Sequence, residues 1–189
     1  MYSAVFESIK DRCALCRQCP LHEERLNIVF GTGAEDADIL FVGDMPRGKD
    51  DIKGLPLTGK EGELFEKFLT LCDMDAEKNV FITNILKCRP AVYDVPDDSC
   101  YEACMEHLRC QVRHIKPKII VCLGSEAAKR MIDPDFNIDK RHGSFIKKGK
   151  LFFIATYHPS EIIDNEDKRL SFLSDFQKLR ESAAQGGII

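Results

Sequence analysis

Three cysteines at three-residue steps, in the run Cys13-Ala-Leu-Cys16-Arg-Gln-Cys19-Pro20-Leu-His22, form two overlapping CxxC pairs. A redox CxxC belongs in a strand–helix–strand context, which has not begun this early in the chain, so the thiolates point to metal. Cys88 stands directly after the apolar run Asn79 to Leu86, and Cys104 follows on a helical pattern. Four thiolates from two distant segments can enclose zinc or an iron–sulfur cluster, and spacing alone does not decide between them. Singly, each cysteine is a small buried hydrophobe. Cys72 and Cys122, within apolar runs, read that way, while Cys13, Cys100 and Cys110 are spare thiols.

A second constellation lies in Ile39 to Gly62. The β-forming run Ile39 to Val42 enters a loop holding Gly43, Pro46, Gly48, Gly54, Pro56, Gly59 and Gly62, with Asp44, Asp50 and Asp51 among them. A buried strand ending in an open, glycine-lined floor is where open α/β folds place ligands. The alternative is that the glycines only shape a surface loop. Neither GxGxxG nor GxxxxGK[ST] is present, which argues against dinucleotide and P-loop sites. A third element is His158 in Thr156-Tyr-His-Pro-Ser160, which in isolation reads as a capping or buried histidine.

The elements that must position these groups alternate. A short amphipathic helix is expected from Met1 to about Arg12, a turn at Gly31 to Gly33, and a core strand at Asp38 to Val42. Helical periodicity runs from Gly62 to Cys72, a strand from Asn79 to Leu86, and a polar loop with prolines leads to a helix from about Ser99 to Ile115. A third strand spans Lys118 to Leu123, and Ser125 is placed to cap a helix through Met131. Ser144 to Ile154 contains a hairpin about Lys147 to Lys150, whose second arm is a fourth core strand, and Lys168 to Ser182 is an amphipathic helix. Strands alternating with helices imply a three-layer α/β/α domain around a central, mainly parallel four-stranded sheet. The whole chain, 1–189, reads as one such domain with an N-terminal cysteine segment.

Nine cysteines are many for a reducing compartment, and clustered thiols there indicate metal rather than disulfides. With no secretory leader pattern and no run of about 20 apolar residues, the expectation is a cytoplasmic protein without membrane contact. The formal net charge of −4 excludes a protein coated in positive charge but leaves room for a local basic face. Lys and Arg gather at 140–141, 147–150 and 168–169.

Taken together, CRQCPLH, ITNILKCRP, ACMEHLRCQVRHIKPKIIVCLG and TYHPS, in that order, resemble the iron–sulfur (family 4) uracil-DNA glycosylases over nearly the whole chain. The resemblance implies a uracil-DNA glycosylase-like fold and a [4Fe–4S] cluster on Cys16, Cys19, Cys88 and Cys104. It also implies Asn84 as the residue that reads uracil and His158 as catalytic. The glycine stretch aligns without gaps to the family pattern GEAPGxxEDxxGxPFVGxAG, with departures. Asp44 and Asp50 stand for glutamates, Met45 for alanine, Arg47 for glycine, Leu57 for the phenylalanine that stacks on the base, and Glu61 for alanine. Glu161-Ile-Ile-Asp164 follows the HPS motif in place of a tyrosine, two leucines and an arginine.

The implied reaction is hydrolysis of the N-glycosidic bond of a base flipped out of DNA. His158 would stabilise the departing base as an anion, and Asp44 would position water or support the cationic sugar. Gly43, Asp50, Leu57 and Asn84 would form the base pocket. Ile162 and Ile163 would wedge into the stack, with Ser160 and Arg141 on phosphates. Leucine in place of an aromatic platform implies reduced uracil excision or a shift toward another deaminated base, because base–aromatic stacking is worth about 1–3 kcal/mol. The expected partner is DNA bearing uracil or another deaminated base, bound by a monomer. Two rival readings are a catalytically weak relative that keeps the cluster and DNA groove, and a zinc-stabilised α/β protein unrelated to DNA.

Overall fold

The computed structural model describes residues 2–91 and 95–186; residues 92–94, within the expected proline-bearing loop, lie outside them. Helix α1 (Ala4–Ala14) is followed by strand β1 (Thr32–Gly33), β2 (Ile39–Gly43), α2 (Gly48–Lys53), α3 (Lys60–Leu71) and β3 (Val80–Asn84). Then come α4 (Asp98–Ile115), β4 (Ile119–Leu123), α5 (Ser125–Met131), α6 (Ile138–Arg141), β5 (Ile146–Lys148), β6 (Leu151–Thr156) and α7 (Glu166–Gln185). The sheet has six strands in the order β1-β3-β2-β4-β6-β5. Its four core strands β3, β2, β4 and β6 run parallel, as expected.

The expected hairpin forms, with β5 as its antiparallel first arm against β6, and it and the antiparallel β1 at the other edge raise the expected four strands to six. Gly31 to Gly33, read as a turn, carries the edge strand β1. A β carbon on Gly33 would stand 2.3 Å from the Val80 carbonyl oxygen, so only glycine lets the chain lie this close along β3.

β2 and β4 are continuous apolar runs, and β3 is apolar from Val80 to Ile82 before ending in the buried Thr83 and Asn84, because both faces are covered. On one face Phe41 meets Phe65 of α3 at 5.0 Å and Phe176 of α7 at 5.7 Å. Register turns Leu40 and its neighbour Phe81 to the other face, where Phe81 meets Phe6 of α1 at 5.6 Å. Burying each such ring stabilises the fold by about 1.5–3 kcal/mol. Among the described residues no helix is long and apolar enough to cross a membrane.

Asp97 caps α4, accepting from the Cys100 amide at 3.0 Å, and Asn165 caps α7, which begins at Glu166 rather than Lys168. The expected cap at Ser125 is corrected by one residue: Gly124, with φ of 93°, holds the N-cap position and Ser125 starts the helix. α2, within the glycine loop, was not expected. It forms because the Asp50 carboxylate accepts the Arg47 amide at its start and Gly54, with φ of 67°, ends it.

Candidate active site and cysteine pocket

The parallel register brings the candidate residues to one end of the sheet. Gly43 and Asn84 are paired at the carboxyl ends of β2 and β3, and the amides of Ile85 and Leu86 lace back to the carbonyls of Gly43 and Asp44 at 2.9 and 3.0 Å. Gly124 follows β4, and a β carbon there would lie 3.2 Å from that of His158, which follows β6. Asn84 is almost fully buried, yet among the described residues no hydrogen bond engages its side-chain amide. The amide group therefore keeps both its donor and its acceptor for a ligand.

His158 has a defined tautomer. Its Nδ1 lies 3.2 Å from the Ser160 amide, which donates to it, and 2.8 Å from Ser160 Oγ. The neutral ring then carries its proton on Nε2, leaving one N–H donor for a ligand. Burial, followed by the Arg47 charge, pushes the pKa of His158 down to about 4, against weaker opposition from Glu161 and Asp50. The residue is neutral at physiological pH.

Asp44 is half-buried, and its Oδ1 is enclosed without a hydrogen-bond partner. Burial raises its pKa, the neighbouring Tyr101 hydroxyl lowers it, Glu126 raises it, and Arg130 and Arg47 lower it. The Arg130 guanidinium lies 3.3 Å over the Tyr101 ring and bonds Asp98 at 3.0 Å. Asp98, Tyr101, Glu126 and Arg130 line a groove of about 610 Å³ along α4 and α5. An enclosed carboxylate oxygen with no protein donor is suited to a water molecule or a developing positive charge.

The remaining expectations separate. Asp50, expected to line the base pocket, spends its oxygens on the loop itself, accepting the Thr58 amide and hydroxyl at 2.7 Å each and the Arg47 amide at 2.9 Å. Asp51 faces the other way and accepts the amides of Leu26 and Asn27 at 3.0 and 3.1 Å. Leu57 has a left-handed backbone, φ 50°, and lines a groove with Pro56, Gly62, Phe65 and Tyr2.

Ile162 is fully buried in the core, which corrects its reading as a wedge; Ile163 is half-buried and keeps some surface. Ser160, expected on a phosphate, is held between Arg47 Nη2 at 2.8 Å and His158. Arg141, also expected on a phosphate, pairs with Asp133 at 2.8 Å and lies over the Phe136 ring.

Cys16, Cys19, Cys88 and Cys104 line one small pocket together with Lys87 and His107. Arg25 Nη1 points at Cys88 Sγ from 3.1 Å, and the Lys87 amide at Cys104 Sγ from 3.3 Å. N–H donors on the sulfurs are the surroundings that iron–sulfur thiolates take. Among the described residues no three His, Cys, Asp or Glu side chains are grouped as ligands of one metal ion; four cysteines around one pocket, two of them with N–H donors on sulfur, are the donor types a [4Fe–4S] cluster takes. The donor set fits that group. Cys13 packs fully buried into the core.

Sequence reasoning missed Lys87. It is fully buried, and its Nζ gives three bonds of 2.6 Å, to Thr83 Oγ1, the Asn84 carbonyl and Gln111 Oε1. Burial pushes its pKa down to about 8. One side chain thus fixes the backbone of Asn84 from beneath while its own amide touches the cysteine pocket. Tyr101, too, gave no signal beyond its place on an amphipathic helix.

Against known proteins, residues 30–182 match the Uracil DNA glycosylase superfamily. The chain is 36% identical to the Type-4 uracil-DNA glycosylase of Archaeoglobus fulgidus over 179 residues, covering 88% of this chain and 87% of the other. It is 35% identical to the Type-4 uracil-DNA glycosylase of Sulfurisphaera tokodaii, with 94% and 84% covered, and 33% identical to that of Thermotoga maritima, with 97% of each covered.

Proposed function

Because the chain belongs to the Uracil DNA glycosylase superfamily, we propose that it removes uracil from DNA by hydrolysing the N-glycosidic bond. The observation that carries this reading is the joint placement of an unengaged Asn84 amide, a neutral His158 and the enclosed Asp44 oxygen at the same end of the sheet.

The base must leave the duplex, at a cost of a few kcal/mol, before these groups can reach it. Asn84 then donates to O4 and accepts from N3–H of uracil, a pattern that cytosine reverses. The absence of a side chain on Gly43 leaves Asn84 the room to do so. As the bond lengthens, negative charge collects on the base and positive charge on the sugar. The Nε2–H of His158 bonds O2 of the departing base, and a positioned donor of this kind is worth about 3–4 kcal/mol. Being neutral, His158 stabilises the anion as a hydrogen-bond donor rather than as an acid. Asp44 holds the attacking water and faces the cationic sugar. Ile163 supplies the apolar contact beside the vacated stack.

Cys16, Cys19, Cys88 and Cys104 would hold a [4Fe–4S] cluster, which supplies no electron transfer to a hydrolysis and instead ties the N-terminal segment to β3 and α4. All nine cysteines are free, in keeping with a reducing, cytoplasmic setting. In this reading the protein acts as a monomer. Leu57 in place of an aromatic ring lowers the hold on the base, and hypoxanthine and xanthine are the further substrates to try.

The test is excision from labelled oligonucleotides containing one uracil, single-stranded and paired with guanine or adenine, using anaerobically purified protein. Alkali-labile sites made by the parent and lost in His158→Ala establish the activity. A brown, folded protein that leaves every uracil intact would overturn it.

A further inference from the structure

Arg47 stands where the family pattern has glycine, and its side chain reaches across the site to the histidine motif. Its own amide is held by Asp50 Oδ2 at 2.9 Å, so the side chain springs from a fixed base. Its Nη2 ends 2.8 Å from Ser160 Oγ. A guanidinium has donors only, so Ser160 accepts there. The Ser160 amide donates to His158 Nδ1, which is therefore an acceptor, so the hydroxyl turns its hydrogen to the same nitrogen at 2.8 Å. With the Ser160 amide also donating from 3.2 Å, Nδ1 receives two hydrogen bonds and has no room for a proton of its own.

We propose that Arg47 is a positioning residue which, through Ser160, locks His158 in its neutral Nε2–H form. Protonating Nδ1 would set N–H against N–H and turn the Ser160 hydroxyl back onto the guanidinium. The Arg47 charge opposes imidazolium directly as well. The other charged groups around the ring are Glu161, Asp50 and Lys168. Glu161 accepts the His158 amide at 3.0 Å and pairs with Lys168 at 2.8 Å, while Asp50 is occupied by Thr58 and the Arg47 amide. Gly124, beside His158, adds no charge.

The consequence for catalysis rests on the glycosylase reading above; the placement of the proton does not. The experiment is a pH titration of the His158 ring by long-range proton–nitrogen NMR on the cluster-loaded protein, with the signal assigned by its loss in His158→Gln. The parent should show the Nε2–H tautomer and stay neutral far below the ordinary histidine range. Arg47→Ala should titrate at higher pH, Arg47→Lys should keep part of the effect, and Ser160→Ala should raise the midpoint while retaining the Arg47 charge. In excision assays kcat should fall in Arg47→Ala and be partly kept in Arg47→Lys, with KM little altered.

An Nδ1–H tautomer in the parent, or identical titrations in the parent and Arg47→Ala, would overturn the proposal. So would an Arg47→Ala defect confined to a salt-dependent rise in KM, which would make Arg47 a phosphate contact alone. If the NMR shifts appear but uracil is never excised, the glycosylase reading fails and the Arg47 linkage stands. If excision is present and the titrations coincide, the linkage fails alone.

Discussion

The side-chain carbonyl oxygen of Asn84 lies 2.3 Å from the position that a β carbon on Gly43 would occupy. The two residues are paired across β2 and β3, so the size of one sets the position of the other. Gly43→Ala should push the Asn84 amide aside by about 1 Å, enough to reduce excision about 10²-fold. Far-UV circular dichroism should be unchanged, and a parent-like rate would remove Asn84 from the base-reading role.

His158→Ala removes the single donor aimed at the departing base. The expected loss in kcat is about 10²- to 10³-fold with KM little altered, measured in single-turnover excision. A variant with raised KM and unchanged kcat would assign His158 to binding instead.

The Tyr101 hydroxyl favours the charged form of the neighbouring Asp44 carboxylate. Burial has already raised the Asp44 pKa, and Tyr101→Phe should raise it further. Because the ionised carboxylate is the working form, activity is present above this pKa and lost as pH falls through it. The acid limb of kcat/KM should therefore move to higher pH in Tyr101→Phe, and an unmoved limb would separate Asp44 from the chemistry.

Asp50 accepts three hydrogen bonds inside the glycine loop. Asp50→Ala leaves the amides of Arg47 and Thr58 and the Thr58 hydroxyl without their partner, at a cost of about 3 kcal/mol in urea unfolding. A change under about 0.5 kcal/mol, the size typical of surface substitutions, would show the clamp to be dispensable.

Cys88→Ser should abolish the brown colour and visible absorbance of the loaded protein and make the segment around Cys16 and Cys19 sensitive to limited proteolysis. Cys72→Ser, at a buried position away from the pocket, should keep the colour. Retained colour in Cys88→Ser would overturn this ligand set.

The core strands were legible because burial on both faces writes itself as unbroken apolar runs, such as Ile39 to Val42. β1 was not, since two residues beside glycines carry no period, and its pairing depends on how near β3 lies. α2 was hidden for a similar reason: Gly-Lys-Asp-Asp-Ile-Lys has little helix propensity, and the Asp50 and Gly54 caps hold it. The cysteines and His158 stood out by residue type and order. The burial of Ile162 but not Ile163 could not be read, because a single tight turn has no repeating face. Lys87 escaped because lysine is so seldom fully buried. The Arg47–Ser160 bond joins residues 113 positions apart, and no local pattern connects them.

Asp50 and Asp51 are consecutive residues of a six-residue helix, one gripping the glycine loop and the other the chain that leads away from Cys19. So short a helix has too few internal bonds to fray on one side only. Whatever loosens the cysteine segment reaches Thr58 through two adjacent side chains, and the two regions should open as one cooperative unit. The amide of Thr58 then serves as a reporter: its rate of hydrogen exchange reads out whether the far cysteine segment is held in place.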